Sequence, residues 1–148
     1  MDNAPPVKRK ALYVEDNPPN AALMEALFER RPDLQLHLAH DCASALRLAR
    51  AHQPDLLLLD LRLPDGDGWT LLPQLRALPG MQGVPAVAVT AADLRAMKLQ
   101  GFNDLWPKPL NLLQMLDLLN HWLPERRSRP DQALAAGALA PVSGMTMR

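Results

Sequence analysis

The sequence predicts a three-layer α/β fold, with a parallel five-stranded sheet packed between helices on both faces. Three observations carry this reading. Short aliphatic runs recur along the chain, at Leu12–Val14, Leu34–Leu38, Leu56–Leu59 and Val84–Val89. Segments with helical spacing lie between them, and strand–helix alternation implies crossover connections and parallel pairing. The Leu56–Leu59 run has no polar alternation, which is the signature of a strand covered on both faces.

Leu12–Val14 reads as a buried strand that ends on the acids Glu15 and Asp16. Pro18 and Pro19 then open a helix, because a first turn tolerates proline. Leu23 and Leu27, with Met24 and Phe28 beside them, form its apolar face, and Pro32 ends it near Arg31. Leu34, Leu36 and Leu38 alternate with Gln35, His37 and Ala39, the period of an edge or half-buried strand. Asp41 is placed to cap a second helix, with Ala45, Leu48 and Ala49 facing inward.

The third strand, Leu56–Leu59, also ends on an acid, Asp60. A loop from Leu63 through Asp65, Gly66 and Asp67 to Gly68 leads into a third helix over 69–78, where Pro73 is expected to kink or delay it. Val84–Val89 closes on Thr90, a short helix is expected over 93–100, and Asn103–Trp106 supplies the fifth strand. Lys108 stands between two prolines ahead of a last helix, Leu110–Leu123. Core is the favoured reading for Leu112, Leu113, Met115, Leu116, Leu119, Trp122 and Leu123. The breadth of that apolar set leaves room for a homodimer or partner contact.

At 148 residues, with 16 basic and 16 acidic side chains, the chain has the size of one domain and no field that favours nucleic acid or anionic membrane. Asp60 interrupts the most leucine-rich segment, so no run has the length of a membrane helix. Cys42 stands alone and fits a reducing, cytoplasmic setting. The expected division is a flexible leader over 1–10, a folded domain over 11–123 and a disordered tail over 124–148, with no space for a DNA-binding output domain.

Ligands of open parallel sheets collect beyond the C-terminal ends of the strands. Glu15, Asp16, Asp60, Thr90 and Lys108 all fall there. Crowded carboxylates repel unless a cation offsets them, and an oxygen-only cluster favours Mg²⁺ over zinc. A lysine and a threonine beside such a cluster suit phosphoryl oxygens. The chemistry this points to is Mg²⁺-assisted transfer of phosphate onto Asp60, at the end of the most buried strand. The Asp65–Gly68 glycines and acids fail calcium-loop spacing, since Trp69 takes a ligand position, and read as a turn with a helix cap. His37, His40, His52 and His121 have no metal spacing.

In order and spacing, Leu12-Tyr13-Val14-Glu15-Asp16-Asn17, Leu58-Leu59-Asp60, Leu63-Pro64-Asp65-Gly66-Asp67-Gly68, Val89-Thr90-Ala91 and Lys108-Pro109 resemble the receiver domain of two-component response regulators, over roughly residues 11–123. The resemblance implies a flavodoxin-like sheet in the order 2-1-3-4-5. It implies that Asp60 accepts phosphate from a phosphohistidine on a histidine kinase or phosphotransfer protein. Glu15, Asp16, Asp60 and the Arg62 carbonyl would hold Mg²⁺, while Thr90, Lys108 and the Ala91 N–H would contact phosphoryl oxygens. It also implies a cis peptide at Lys108–Pro109.

The family's aromatic residue three before the lysine is replaced here by Leu105, with Trp106 beside it, and the fourth helix is about one turn short. Intact acceptor chemistry with an unusual read-out follows. Leu105 and Trp106 are the pair most suggestive of a partner contact. The leading expectation is a single-domain response regulator that signals to a downstream protein and is not an enzyme in the ordinary sense. The alternatives are a phosphorylation-independent interaction module, the receiver part of a hybrid kinase and, more weakly, a Mg²⁺-dependent phosphatase.

Overall fold

The computed structural model describes residues 7–91 and 100–125. Strands β1 (Arg9–Val14), β2 (Leu34–Ala39), β3 (Leu56–Asp60), β6 (Ala86–Thr90) and β7 (Asp104–Pro107) form one sheet in the order β2-β1-β3-β6-β7. Every pairing in it is parallel. Counted along the chain, these five strands run 2-1-3-4-5, as expected. Two further strands of two residues each, β4 (Arg62–Leu63) and β5 (Gly66–Asp67), pair antiparallel in the loop after β3. Helices α1 (Pro18–Glu29), α2 (Cys42–His52), α3 (Gly68–Arg76) and α4 (Leu112–Trp122) cover the sheet among the described residues. The expected helix over 93–100 falls mostly outside them, as does the tail beyond Glu125.

Side chains alternate along each strand, so the sheet divides the core in two. Leu12, Val14, Leu57 and Leu59 pack with Ala45 and Ala49 of α2 and Leu71, Leu72 and Leu75 of α3. On the opposite face Tyr13, Leu56, Leu58 and Trp106 pack with Met24 and Leu27 of α1 and Met115 and Leu119 of α4. All five residues of β3 are buried, which explains its unbroken aliphatic run.

The helix starts follow from local chemistry. Asn17 caps α1 by accepting from the Asn20 N–H, and Asp41 caps α2 in a reciprocal box with Ser44. Asp65 adds a second cap to α2, its carboxylate accepting from the N–H groups of Cys42 (2.7 Å) and Ala43 (3.2 Å). This ties the loop after β3 to a neighbouring helix.

Four expectations are corrected. Pro73 does not delay α3, which begins at Gly68 because Asp67 caps it through the Thr70 N–H. The segment read as a flexible leader over 1–10 contributes Arg9 and Lys10 to β1, where they pair with Leu34 and Gln35 and the Lys10 N–H is held by Asp55. Trp106 is core, 1% exposed, so it is not half of an exposed partner surface with Leu105. Within α4, Met115 and Leu119 are buried, but Leu113 stands 72% exposed, because the helix turns only one stripe to the sheet.

The far end of the fold is locked by a buried guanidinium. Arg31, 2% exposed, pairs with Asp33 at 2.8 and 2.9 Å and donates to Asn120 Oδ1 and the Leu123 carbonyl, both at 2.7 Å. It thereby fastens the end of α1 to the end of α4. His37 and His52 stack with ring centroids 4.0 Å apart, in keeping with a structural role for both.

Candidate functional site

The site forms where β1 and β3 lie side by side. The chain departs in opposite directions from this point of the sheet, which opens a crevice at the strand ends. Glu15 follows β1 and is fixed by its N–H to the Ala39 carbonyl at 2.9 Å. Asp60 ends β3 and Thr90 ends β6. Lys108 follows β7, its own N–H donating to the Thr90 carbonyl at 2.9 Å, and the Lys108–Pro109 peptide is cis. A cavity of about 420 Å³ is lined by Glu15, Asp16, Asn17, Asn20, Asp60, Arg62, Thr90, Ala91 and Lys108. Every residue named from the sequence for the cation and phosphoryl site lines this one cavity.

The Lys108 ammonium bridges the two buried acids, 2.8 Å from Glu15 Oε1 and 3.0 Å from Asp60 Oδ2. Asp60 Oδ1 accepts from the Arg62 N–H at 3.0 Å. Glu15 Oε1 also accepts from the Tyr13 hydroxyl at 2.7 Å, a bond inside the core. Asp16 is exposed, while Glu15 and Asp60 are 1% and 6% exposed. Burial, and then the neighbouring Asp60 carboxyl, holds the Glu15 carboxyl above its ordinary range against the opposing pull of Lys108 and Tyr13. Burial likewise keeps the Tyr13 phenol protonated, reinforced by its bond to Glu15. Burial works against the Lys108 charge, but bonds to Glu15 and Asp60 outweigh it and raise its pKa.

One carboxylate oxygen from each of Glu15, Asp16 and Asp60 lies within 4.8 Å of the others. Such an oxygen-only donor set fits a hard divalent cation and not a soft one. Tyr13 was missed as a contributor to the site. The signal was present, because residues two apart on a strand share a face and Tyr13 stands two before Glu15.

Residues 11–120 match the family of response regulator receiver domains. The chain belongs to that family. Receiver domains are signalling domains. It is 31% identical over 115 residues to the "uncharacterized 14.6 kDa protein in sodA1 3'region" of Leptolyngbya boryana, covering 75% of this chain and 87% of that one. It is 32% identical over 106 residues to the response regulator PleD of Caulobacter vibrioides, covering 69% of this chain and only 23% of that protein. The receiver domain of the sensor histidine kinase PA1611 of Pseudomonas aeruginosa PAO1 superposes with a TM-score of 0.69 at 32% identity, over 80% of this chain and 100% of that one. That structure carries a magnesium ion coordinated in its active site cleft.

Against this family pattern, Leu105 is partly buried on the α2 and α3 face of the sheet. The register pairs Ala88 with Leu105 and Val89 with Trp106, which turns the indole to the opposite face, among α1 and α4. Trp106 thus does not replace the missing aromatic residue. No described helix of this receiver is long and apolar enough to cross a membrane.

Gly68 joins the site to α3. A Cβ built there would lie 2.8 Å from the Asp60 carbonyl oxygen and 2.9 Å from a Leu61 methyl. Gly68→Ala is expected to cost about 1–3 kcal/mol through overpacking. Thermal unfolding checks this expectation.

Proposed function

We propose that this receiver accepts a phosphoryl group on Asp60 from a phosphohistidine of a histidine kinase or histidine phosphotransfer protein and signals in the cytoplasm by contact with a downstream protein. The observation that carries this reading is the position of Asp60. One of its oxygens is held by the Arg62 N–H and the other by the Lys108 ammonium, in the lining of a polar cavity. A carboxylate oriented in this way is a competent nucleophile towards phosphorus. Its oxygen forms the new P–O bond as the P–N bond of phosphohistidine breaks, and the bonding pair leaves with the imidazole nitrogen.

The roles of the other residues follow from charge. Glu15, Asp16, Asp60 and the Arg62 carbonyl would hold Mg²⁺, which supplies charge neutralisation at the phosphoryl oxygens. The Thr90 hydroxyl and the Ala91 N–H donate to those oxygens, and the Lys108 ammonium, already beside Asp60, balances the negative charge of the acyl phosphate.

Intact mass spectrometry after incubation with phosphoramidate tests the reading. Wild type is expected to gain the mass of one phosphate in Mg²⁺ and none in EDTA, and Asp60→Asn none in either. Absence of the adduct on wild type with phosphoramidate and with a phosphohistidine donor would overturn it.

One observation favours a second reading. With Leu105 in place of the family's aromatic residue, a surface that binds its partner without phosphorylation is the alternative. Partner affinity that is unchanged by Asp60→Asn would select it.

A further inference from the structure

We propose that Tyr13 is a positioning residue that reserves one oxygen of Glu15 for the cation. The inference rests on the Mg²⁺ reading of this site and adds to it a residue from the core.

Tyr13 is fully buried in β1, its ring enclosed by the cluster that includes Met24, Leu58, Val89 and Trp106. The ring is enclosed on this face of the sheet, so its hydroxyl is a fixed donor held on the buried Glu15 carboxylate. It lies 2.7 Å from Glu15 Oε1, and the same oxygen receives the Lys108 ammonium at 2.8 Å. A carboxylate oxygen offers about two lone-pair sites, so these two donors fill Oε1. Oε2 is different. The donor it meets is the Asn17 N–H, at a long 3.4 Å. Oε2 is therefore the atom left open in the acid cluster with Asp16 and Asp60.

Without the hydroxyl, Lys108 and the long Asn17 contact would be left to hold the Glu15 side chain. The carboxylate could then turn and offer both oxygens to the ammonium, which would compete with Mg²⁺ for them. Partners that orient a metal ligand in this way typically change metal affinity by about 10–100-fold when removed. Tyr13→Phe removes the hydroxyl and keeps the ring that fills the core.

Calorimetric titration of Mg²⁺ into wild type and Tyr13→Phe is the direct test. It is paired with the Mg²⁺ dependence of phosphorylation by phosphoramidate, followed by intact mass. The expected result is a Mg²⁺ Kd raised about tenfold, with the half-saturating Mg²⁺ concentration raised in parallel. The phosphorylation rate at saturating Mg²⁺ should stay within about twofold of wild type, because the Tyr13 hydroxyl bonds Glu15 and not Asp60. A merely structural role would lower the thermal midpoint and the saturated rate while leaving the Kd in place. An unchanged Kd in a variant with the wild-type thermal midpoint would overturn the role of Tyr13 alone. A wild type that binds no Mg²⁺ would overturn the metal reading and this proposal together.

Discussion

Lys108→Met is expected to destabilise the Mg²⁺-free protein by about 3 kcal/mol, the range for removing one partner of a buried ion pair. Methionine keeps the length and apolar stem of the side chain, so the change isolates the charge. In wild type the ammonium lies within 3.0 Å of both Glu15 and Asp60, whose side chains are almost fully buried. Removing it leaves two adjacent carboxyls without that counter-charge.

The pH dependence of the loss has a definite sign. The Glu15 carboxyl already sits above its ordinary pKa through burial. An acid raised in this way contributes stability that is fully present below its unfolded pKa and lost as pH rises through its folded pKa. Without the lysine the folded pKa climbs further and the loss deepens. The gap between variant and wild type should therefore widen from about pH 4 to about pH 8 in urea unfolding with EDTA. On the proposed Mg²⁺ reading the ion supplies the missing charge, and at about 100 times its Kd it should add about 2.7 kcal/mol to either protein. The variant has lost a competing cation, so its Mg²⁺ Kd should be the lower of the two. Equal stability of the two proteins in EDTA across this range would show that Lys108 does not neutralise the site.

Trp106→Ala is expected to cost about 3–5 kcal/mol, a large share of the roughly 5–15 kcal/mol that holds a domain together. The indole is 1% exposed and is the largest fully buried side chain of the described residues. It joins β7 to the α1 and α4 face of the core, and alanine would leave a cavity there. Its Nε1–H is buried without a hydrogen-bond partner among the described residues. Trp106→Phe removes that unsatisfied group along with part of the volume, so the two effects oppose and the net cost should be only about 1 kcal/mol. Denaturant midpoints of the two variants test this contrast. A Trp106→Phe loss well above about 1 kcal/mol would mean that the buried N–H carries little penalty in wild type.

The candidate site residues are legible in the sequence because of where parallel strands put their ends. Each buried aliphatic run stops on a polar residue, and in a sheet with one strand direction those stops converge on one edge. Glu15, Asp60, Thr90 and Lys108 all stand at or just beyond such a stop. Arg9 and Lys10 were hidden by their charge. They read as leader, yet β1 begins with them because backbone pairing to Leu34 and Gln35 does not depend on side-chain polarity. Leu105 and Trp106 were hidden by adjacency, since a shift of one residue reverses the face each side chain takes and only the register with Ala88 and Val89 decides it.

By itself the sequence determined the α/β class and the residues that stand at the strand ends, because periodicity and strand termination are local properties of the chain, while the order of the five strands follows only from the resemblance to receiver domains. Tertiary structure decided which donor faces which acceptor. The bridge from Lys108 to Glu15 and Asp60, the Tyr13 hydroxyl on Glu15 and the Asp65 cap on α2 are all set at the scale of a single hydrogen bond. Lys108 and Asp65 reach their partners from distant parts of the chain, through strand register and helix packing that no local pattern encodes. Tyr13 lies only two residues from Glu15, but its enclosure in the core is what fixes the hydroxyl on that carboxylate.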